Sequence, residues 1–352
     1  MARLRSSRSK NRFLSRGLVG VMIVALALLG IYALNPLGSS TAAETPEPQA
    51  ANTPVAAKAT PDSSWDAEPA KPAAPAAKLK ADPKPVVTLP NRIVPKAGFQ
   101  KDAKALQDQG KLLEARKILN DALQSGTLDH ATAEMVKADI RDLNTVIVFT
   151  PSRRYKDDPH QGEHTIAQGD LLGKIANELK VPYGFLERIN ATKANKVRLG
   201  QSIKTIKGPI HAVVSKKHFT MDLYLGGLPG EPDSMYLDSY KVGLGADSST
   251  PTGTWEVTLY SKLVNPEWTN PRTNEVYSAD DPKNPLGERW IGLTGVAGDA
   301  VGQPSYGIHG TIEPETIGTN ASMGCIRLVH EDICEVYDML YESRSKVLVV
   351  AE

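Results

Sequence analysis

Two short segments decide how this chain is read: Tyr306-Gly-Ile-His309-Gly-Thr311 and Ser322-Met-Gly-Cys325-Ile-Arg327-Leu328. Side chains alternate along a strand. Ile326 and Leu328 are therefore expected in the core, with Cys325 and Arg327 on the opposite face. The same alternation sends Ile308 inward and His309 outward. A thiol, a guanidinium and an imidazole are thus expected on exposed faces of strands pinned by apolar residues. An imidazole that takes the thiol proton turns an ordinary cysteine into a nucleophile. Gly324 should leave room for a carbonyl to approach the backbone, and the N–H groups of Gly324 and Cys325 could serve an oxyanion. Of seven histidines, His309 alone lies on an apolar-pinned strand flanked by small residues. His130, His160, His164, His211, His218 and His330 fall at element ends or in polar stretches, where surface or capping roles are expected. One cysteine and one histidine in a domain also fit inert packing, so these residues alone leave both readings open.

The stretch around them, from Ile210 to the end, is strand-rich. His211–Val214, Phe219–Leu225, Tyr236–Leu244, Thr254–Tyr260 and Lys346–Val350 read as strands, with a Gly/Pro turn at 226–230. One helix is expected near 331–341, where Ile333, Val336, Tyr337 and Leu340 share a face. Short strands with Gly/Pro turns predict a β-sandwich or an irregular β-sheet domain.

The 352 residues exceed one ordinary domain, and 41% hydrophobic with 23% charged residues is a globular balance. Six Lys/Arg sit in residues 1–16, so a net charge of +1 leaves −5 for the remainder. No basic domain is left for nucleic acid. Two cysteines, with no Cys/His cluster at metal spacing, exclude a disulfide scaffold and give no metal site or cofactor. Residues 17–34 carry no charge and, as a helix, would reach about 27 Å. They are read as a membrane anchor behind a cytoplasmic basic leader, which puts everything after Leu34 in the periplasm or extracytoplasmic wall space. A cleaved signal peptide at Thr41-Ala-Ala43 is the rival, and it exports the rest equally. Residues 35–96 read as a disordered linker, since 41–90 hold 14 Ala and 10 Pro.

From 97 to 149 the period is helical, broken at Gly110 and Gly126. Gly110-Lys-Leu-Leu-Glu-Ala115 resembles one tetratricopeptide helix pair, read chiefly as a spacer or packing module and secondarily as a site for a protein partner. Residues 160–208 read strand, helix, helix, strand, with Asp170 expected to cap the helix from Leu171. His164-Thr-Ile-Ala-Gln-Gly-Asp170, Lys174-Ile-Ala, Val181-Pro-Tyr, Leu186-Glu-Arg-Ile-Asn190 and Leu199-Gly-Gln-Ser-Ile203 resemble a LysM module. That resemblance implies binding of N-acetylglucosamine-containing glycan strands such as peptidoglycan.

The two opening segments, together with Thr250-Pro-Thr-Gly-Thr254 and Asn284-Pro-Leu-Gly287…Trp290-Ile-Gly-Leu293, resemble the L,D-transpeptidase (YkuD-type) family over about 210–351. The resemblance implies Cys325 as nucleophile, His309 as its base, a backbone carbonyl near Gly310 orienting the imidazole, and a mostly-β, sandwich-like catalytic domain at 209–352. Arg327 matches the family arginine that would hold a substrate carboxylate, with a structural ion pair as the alternative; Ser322 would order the loop. Met323 stands where many relatives have a second histidine, so any polar role there is lost. Cys334 is expected as a packed small residue, because a disulfide to Cys325 would block the nucleophile. The implied activity is 3→3 cross-linking of peptidoglycan stem peptides through a cysteinyl acyl-enzyme, with release of D-Ala. Carboxypeptidase or D-amino-acid exchange, lipoprotein attachment, and a non-catalytic wall-binding anchor are the alternatives.

Overall fold

The computed structural model describes residues 94–352. The chain divides into two units, Met1–Lys78 and Leu79–Glu352, and the described residues all lie in the second. The leader, the anchor and nearly all of the linker read from the sequence lie outside the described residues. Among the described residues, no helix is long and apolar enough to cross a membrane.

Three helices come first: α1 (Phe99–Asp108), α2 (Leu112–Gln124) and α3 (His130–Asn144). Gly110 and Gly126, both at positive φ, interrupt them, and Asp129 caps α3 by accepting from Thr132 N at 2.9 Å. Their shared stripe, including Ala115, Leu119, Val136 and Ile140, is buried. Then follow β1 (Gln161–Thr165), α4 (Leu172–Leu179), α5 (Tyr183–Asn190) and β2 (Ser202–Ile206), with β1 antiparallel to β2. The βααβ order matches the sequence reading, but Asp170 does not cap α4. Its carboxylate accepts from Ala167 N at 2.9 Å and meets His164 Nε2 at 2.7 Å, closing the turn out of β1 instead.

The remaining elements are β3 (Ile210–Ser215), β4 (Thr220–Leu225), β5 (Met235–Lys241), β6 (Leu244–Gly245), β7 (Gly253–Val264), β8 (Trp268–Thr269), β9 (Val276–Tyr277), β10 (Arg289–Gly298), β11 (Tyr306–His309), β12 (Asn320–Ser322), β13 (Ile326–Arg327), α6 (His330–Met339) and β14 (Lys346–Val350). Eight of these strands form one sheet in the order β13-β11-β10-β7-β14-β3-β4-β5, parallel at β11–β13 and β14–β3. The expected sandwich is thus a single curled sheet. Its edges meet just after β5, where Gly243 and Arg327 exchange N–H···O bonds of 2.9 and 2.8 Å. Strand patterning reports a buried face, and a sheet curled on itself buries one as well as two stacked sheets do.

The other modules pack onto this sheet rather than standing apart. Asn120 accepts from Tyr236 N at 2.9 Å and donates to Ser234 O at 3.0 Å, and buried Asn144 donates to Tyr236 O and Leu237 O at 3.0 Å each. Two helix side chains therefore occupy hydrogen-bonding groups of the β5 edge, which an edge strand otherwise leaves open. Asn144 also accepts from Arg116 at 3.3 Å, and Arg116 pairs with buried Asp158 at 2.7 Å. Buried Lys204 of β2 donates to the carbonyls of Val148 and Thr150, and Arg188 of α5 pairs with Glu335 of α6.

Candidate active site

Parallel pairing sets His309 of β11 beside Arg327 of β13, with Ile308 beside Ile326 beneath them. Cys325 precedes β13, two residues before Arg327, and all three polar side chains line one cleft of about 640 Å³. Ile308, Ile326 and Leu328 are buried as read, whereas Cys325, just ahead of β13, and Arg327 are part-buried rather than exposed. His309 differs. It turns toward the cleft, yet it is only 4% exposed, because Leu286 and Trp290 also border it and the Trp290 ring stacks on the imidazole at 5.8 Å. Leu286 comes from the excursion between β7 and β10, and Trp290 from β10, the strand paired with β11, neither of which strand periodicity reveals.

The imidazole Nδ1 donates to Gly310 O at 2.6 Å, which leaves Nε2 as the acceptor. Burial pushes the imidazole down to about 4, helped by the Arg327 charge and opposed by the Gly310 carbonyl. Burial also pushes the Cys325 thiol up, against the lowering pull of the Gly307 N–H and Arg327. The resting pair is therefore a neutral thiol and a neutral imidazole, not an ion pair. The thiol contacts Ser305 O at 3.9 Å, and among the described residues no hydrogen bond joins it to the imidazole.

The turn carrying the sulfur is built from short polar contacts. Ser322 Oγ donates to Cys325 O at 2.6 Å and accepts from Gly324 N at 3.0 Å. Thr250 Oγ1 donates to Gly324 O and accepts from Gly245 N, both at 2.8 Å. The Gly324 amide is thus engaged, and the Gly307 N–H is the backbone donor that acts on the sulfur. Gly324 sits at φ 130, and a Cβ there would lie 2.7 Å from the Tyr306 ring. The Cβ direction at this glycine is filled by the Tyr306 ring.

Arg327 donates from Nη1 to Glu313 at 3.0 Å, while its Nε is buried with no hydrogen-bond partner among the described residues. An ion pair and an uncommitted donor coexist in one guanidinium. Met323 lines the cleft at 42% exposure, an apolar rim where a second imidazole would otherwise stand. The sequence reading singled out neither Tyr306 nor Trp290 as lining the cleft. Both lay within quoted motifs, but Trp290 reaches it only because Gly307 lacks a side chain: a Cβ there would strike Trp290 at 2.6 Å. His211, expected at the surface, is buried and accepts from Lys346 N at 3.0 Å, because β3 is an inner strand. Cys334 is free, and it lies beside Glu288 and His330 rather than simply packed.

A thiol, an imidazole held by a carbonyl and a guanidinium, assembled at the closure of a curled sheet, make a site equipped for acyl transfer to sulfur. The comparisons specify the type. Residues 209–349 match the family model described as YkuD, the L,D-transpeptidase catalytic domain. YkuD of Bacillus subtilis strain 168 is 28% identical over 181 residues, covering 49% of this chain and 90% of that protein. YqjB of the same organism is 36% identical over 104 residues, covering 29% of this chain and 53% of its own length. Both carry the L,D-transpeptidase name. Among solved structures, an L,D-transpeptidase from Mycobacterium smegmatis aligns with 17% identity and a TM-score of 0.29, covering 43% of this chain and 64% of that chain.

Proposed function

We propose that this chain is a membrane-tethered, exported peptidoglycan L,D-transpeptidase that forms 3→3 cross-links through an acyl-enzyme on Cys325. The observation that carries the reading is the convergence of His309, Cys325 and Arg327 on one cleft inside the region that matches the family. The donor is a tetrapeptide stem, and the positive charge of Arg327 at the cleft supports binding of its terminal carboxylate. Cys325 attacks the carbonyl before the terminal D-Ala while its proton passes to His309 Nε2. The Cys325 amide donates to the developing oxyanion. The C–N bond then breaks, the imidazolium returns the proton to the leaving amine, and a thioester remains. A side-chain amine of a second stem attacks that thioester, gives up a proton to His309 and regenerates the thiol. Gly310 O keeps the imidazole in the tautomer both steps need.

The βααβ module at 160–208, by its LysM resemblance, would hold glycan strands near this cleft and raise their local concentration. The residue 17–34 anchor and Ala/Pro linker would let the enzyme work away from the bilayer. Intact-mass analysis of the full chain in detergent with a carbapenem tests the acyl-enzyme. A stoichiometric adduct is expected on wild type and none on Cys325→Ala; the opposite pattern overturns the assignment. Muropeptide products then decide the acceptor, since only transpeptidation yields 3→3 dimers, whereas water or a free D-amino acid gives monomers.

A further inference from the structure

We propose that Glu288, His330 and Cys334 form a binding site for zinc or a closely related divalent transition ion, separate from the acyl-transfer cleft. His330 and Cys334 are four residues apart on α6, so they stand on one face of the helix. Glu288 reaches them from the residue before β10. One ligand atom from each lies within 4.8 Å of both others. Glu288 Oε2 is 3.7 Å from His330 Nδ1, too far for a hydrogen bond. Two ligands on one tetrahedral zinc stand roughly 3.3–3.7 Å apart, given metal–ligand bonds of about 2.0–2.3 Å. The observed gap is that of an ion pair when the imidazole is protonated, and it also matches the ligand spacing around such an ion.

The donor set selects the metal. Imidazole nitrogen and thiolate sulfur favour a borderline ion over magnesium or calcium, and three protein ligands leave a fourth position for water. Access exists, because Glu288 and His330 are exposed and line a second hollow of about 380 Å³ with Asp280 and Asp281. Arg289 opposes a cation, its Nη1 being 4.0 Å from Glu288 Oε2, but its guanidinium lies over the Tyr337 ring at 5.5 Å. Glu331 and Asp338 add negative charge near Cys334. Binding would tie the start of β10 to α6. Gly287, next to Glu288, packs against Gly310, where a Cβ would meet Gly310 Cα at 3.2 Å. The ion would thus brace the segment behind the catalytic imidazole without entering the cleft.

Cys325→Ala leaves Cys334 as the single thiol of the chain, which isolates this site from the nucleophile. Titrating that full-length variant in detergent with Co²⁺ should give one equivalent bound, with a thiolate-to-cobalt charge-transfer band that Zn²⁺ displaces, and a raised thermal midpoint. Adding Cys334→Ser should abolish the band, and His330→Ala or Glu288→Gln should each weaken binding by about tenfold or more. No band on the single-thiol chain overturns the proposal. So does stoichiometric binding that survives Cys334→Ser, or an affinity indifferent to both His330→Ala and Glu288→Gln.

Discussion

Acidification gives the sharpest test of His309 as a buried neutral base. Burial and the Arg327 charge hold its imidazole at about 4, and burial holds the Cys325 thiol above its ordinary value. Between these limits neither group changes charge, so the fraction of reactive enzyme stays constant. An imidazole at an ordinary value near 6.5 would be about nine-tenths protonated at pH 5.5, and acylation would fall roughly tenfold from its plateau. With the imidazole at about 4, nearly all of it is still neutral at pH 5.5 and the rate should hold. The measurement is the second-order rate constant for acylation by a carbapenem from pH 4 to 8, which reports the free enzyme. Circular dichroism at each pH verifies that the chain remains folded. The expected profile is flat down to about pH 5 and halves near 4. A profile that halves near 6.5, with the fold intact, refutes the claim that burial sets the protonation of this site.

The same chemistry reaches stability at His211, which burial also holds at about 4. The folded imidazole stays neutral while the unfolded one protonates below 6.5. Its contribution is thus complete above pH 6.5 and is lost as pH falls through about 4. By urea unfolding, wild type should lose about 3 kcal/mol relative to His211→Gln between pH 7 and 4; a pH-independent gap would contradict the burial argument. Gly324→Ala places a Cβ against Tyr306 at a φ that side chains disfavour, so it should cost about 2 kcal/mol or more and slow acylation. An unchanged thermal midpoint and rate would show that the turn is looser than drawn. Asp158→Ala strands the buried Arg116 charge and should cost about 3–5 kcal/mol, with much of the loss recovered in Arg116→Met/Asp158→Leu. A cost under about 1 kcal/mol would mean that water reaches this pair in the folded chain.

Strand alternation was enough to place Ile308, Ile326 and Leu328 in the core, and period and breakers were enough to mark the three leading helices and the βααβ order. The same local rules failed where a distant segment supplies the environment. His211 had the position of a surface residue, but on an inner strand it is buried and accepts from Lys346 N, 135 residues on. Gly324 carried the mark of a permissive backbone, and Tyr306 from β11 fills the space it leaves. His330 was read as a surface or capping residue and Cys334 as packing, and they form a cluster only with Glu288, which arrives from another element.

By itself, the order of residues determined which chemical groups this protein offers and which strands carry them, because alternation and period are properties of the local backbone. Folding decided their state. Whether the imidazole is charged, whether a glycine amide is free and whether the sheet closes at Arg327 all depend on what lies across the fold. Desolvation and edge pairing arise only between segments far apart in the chain, and no window of sequence contains both partners.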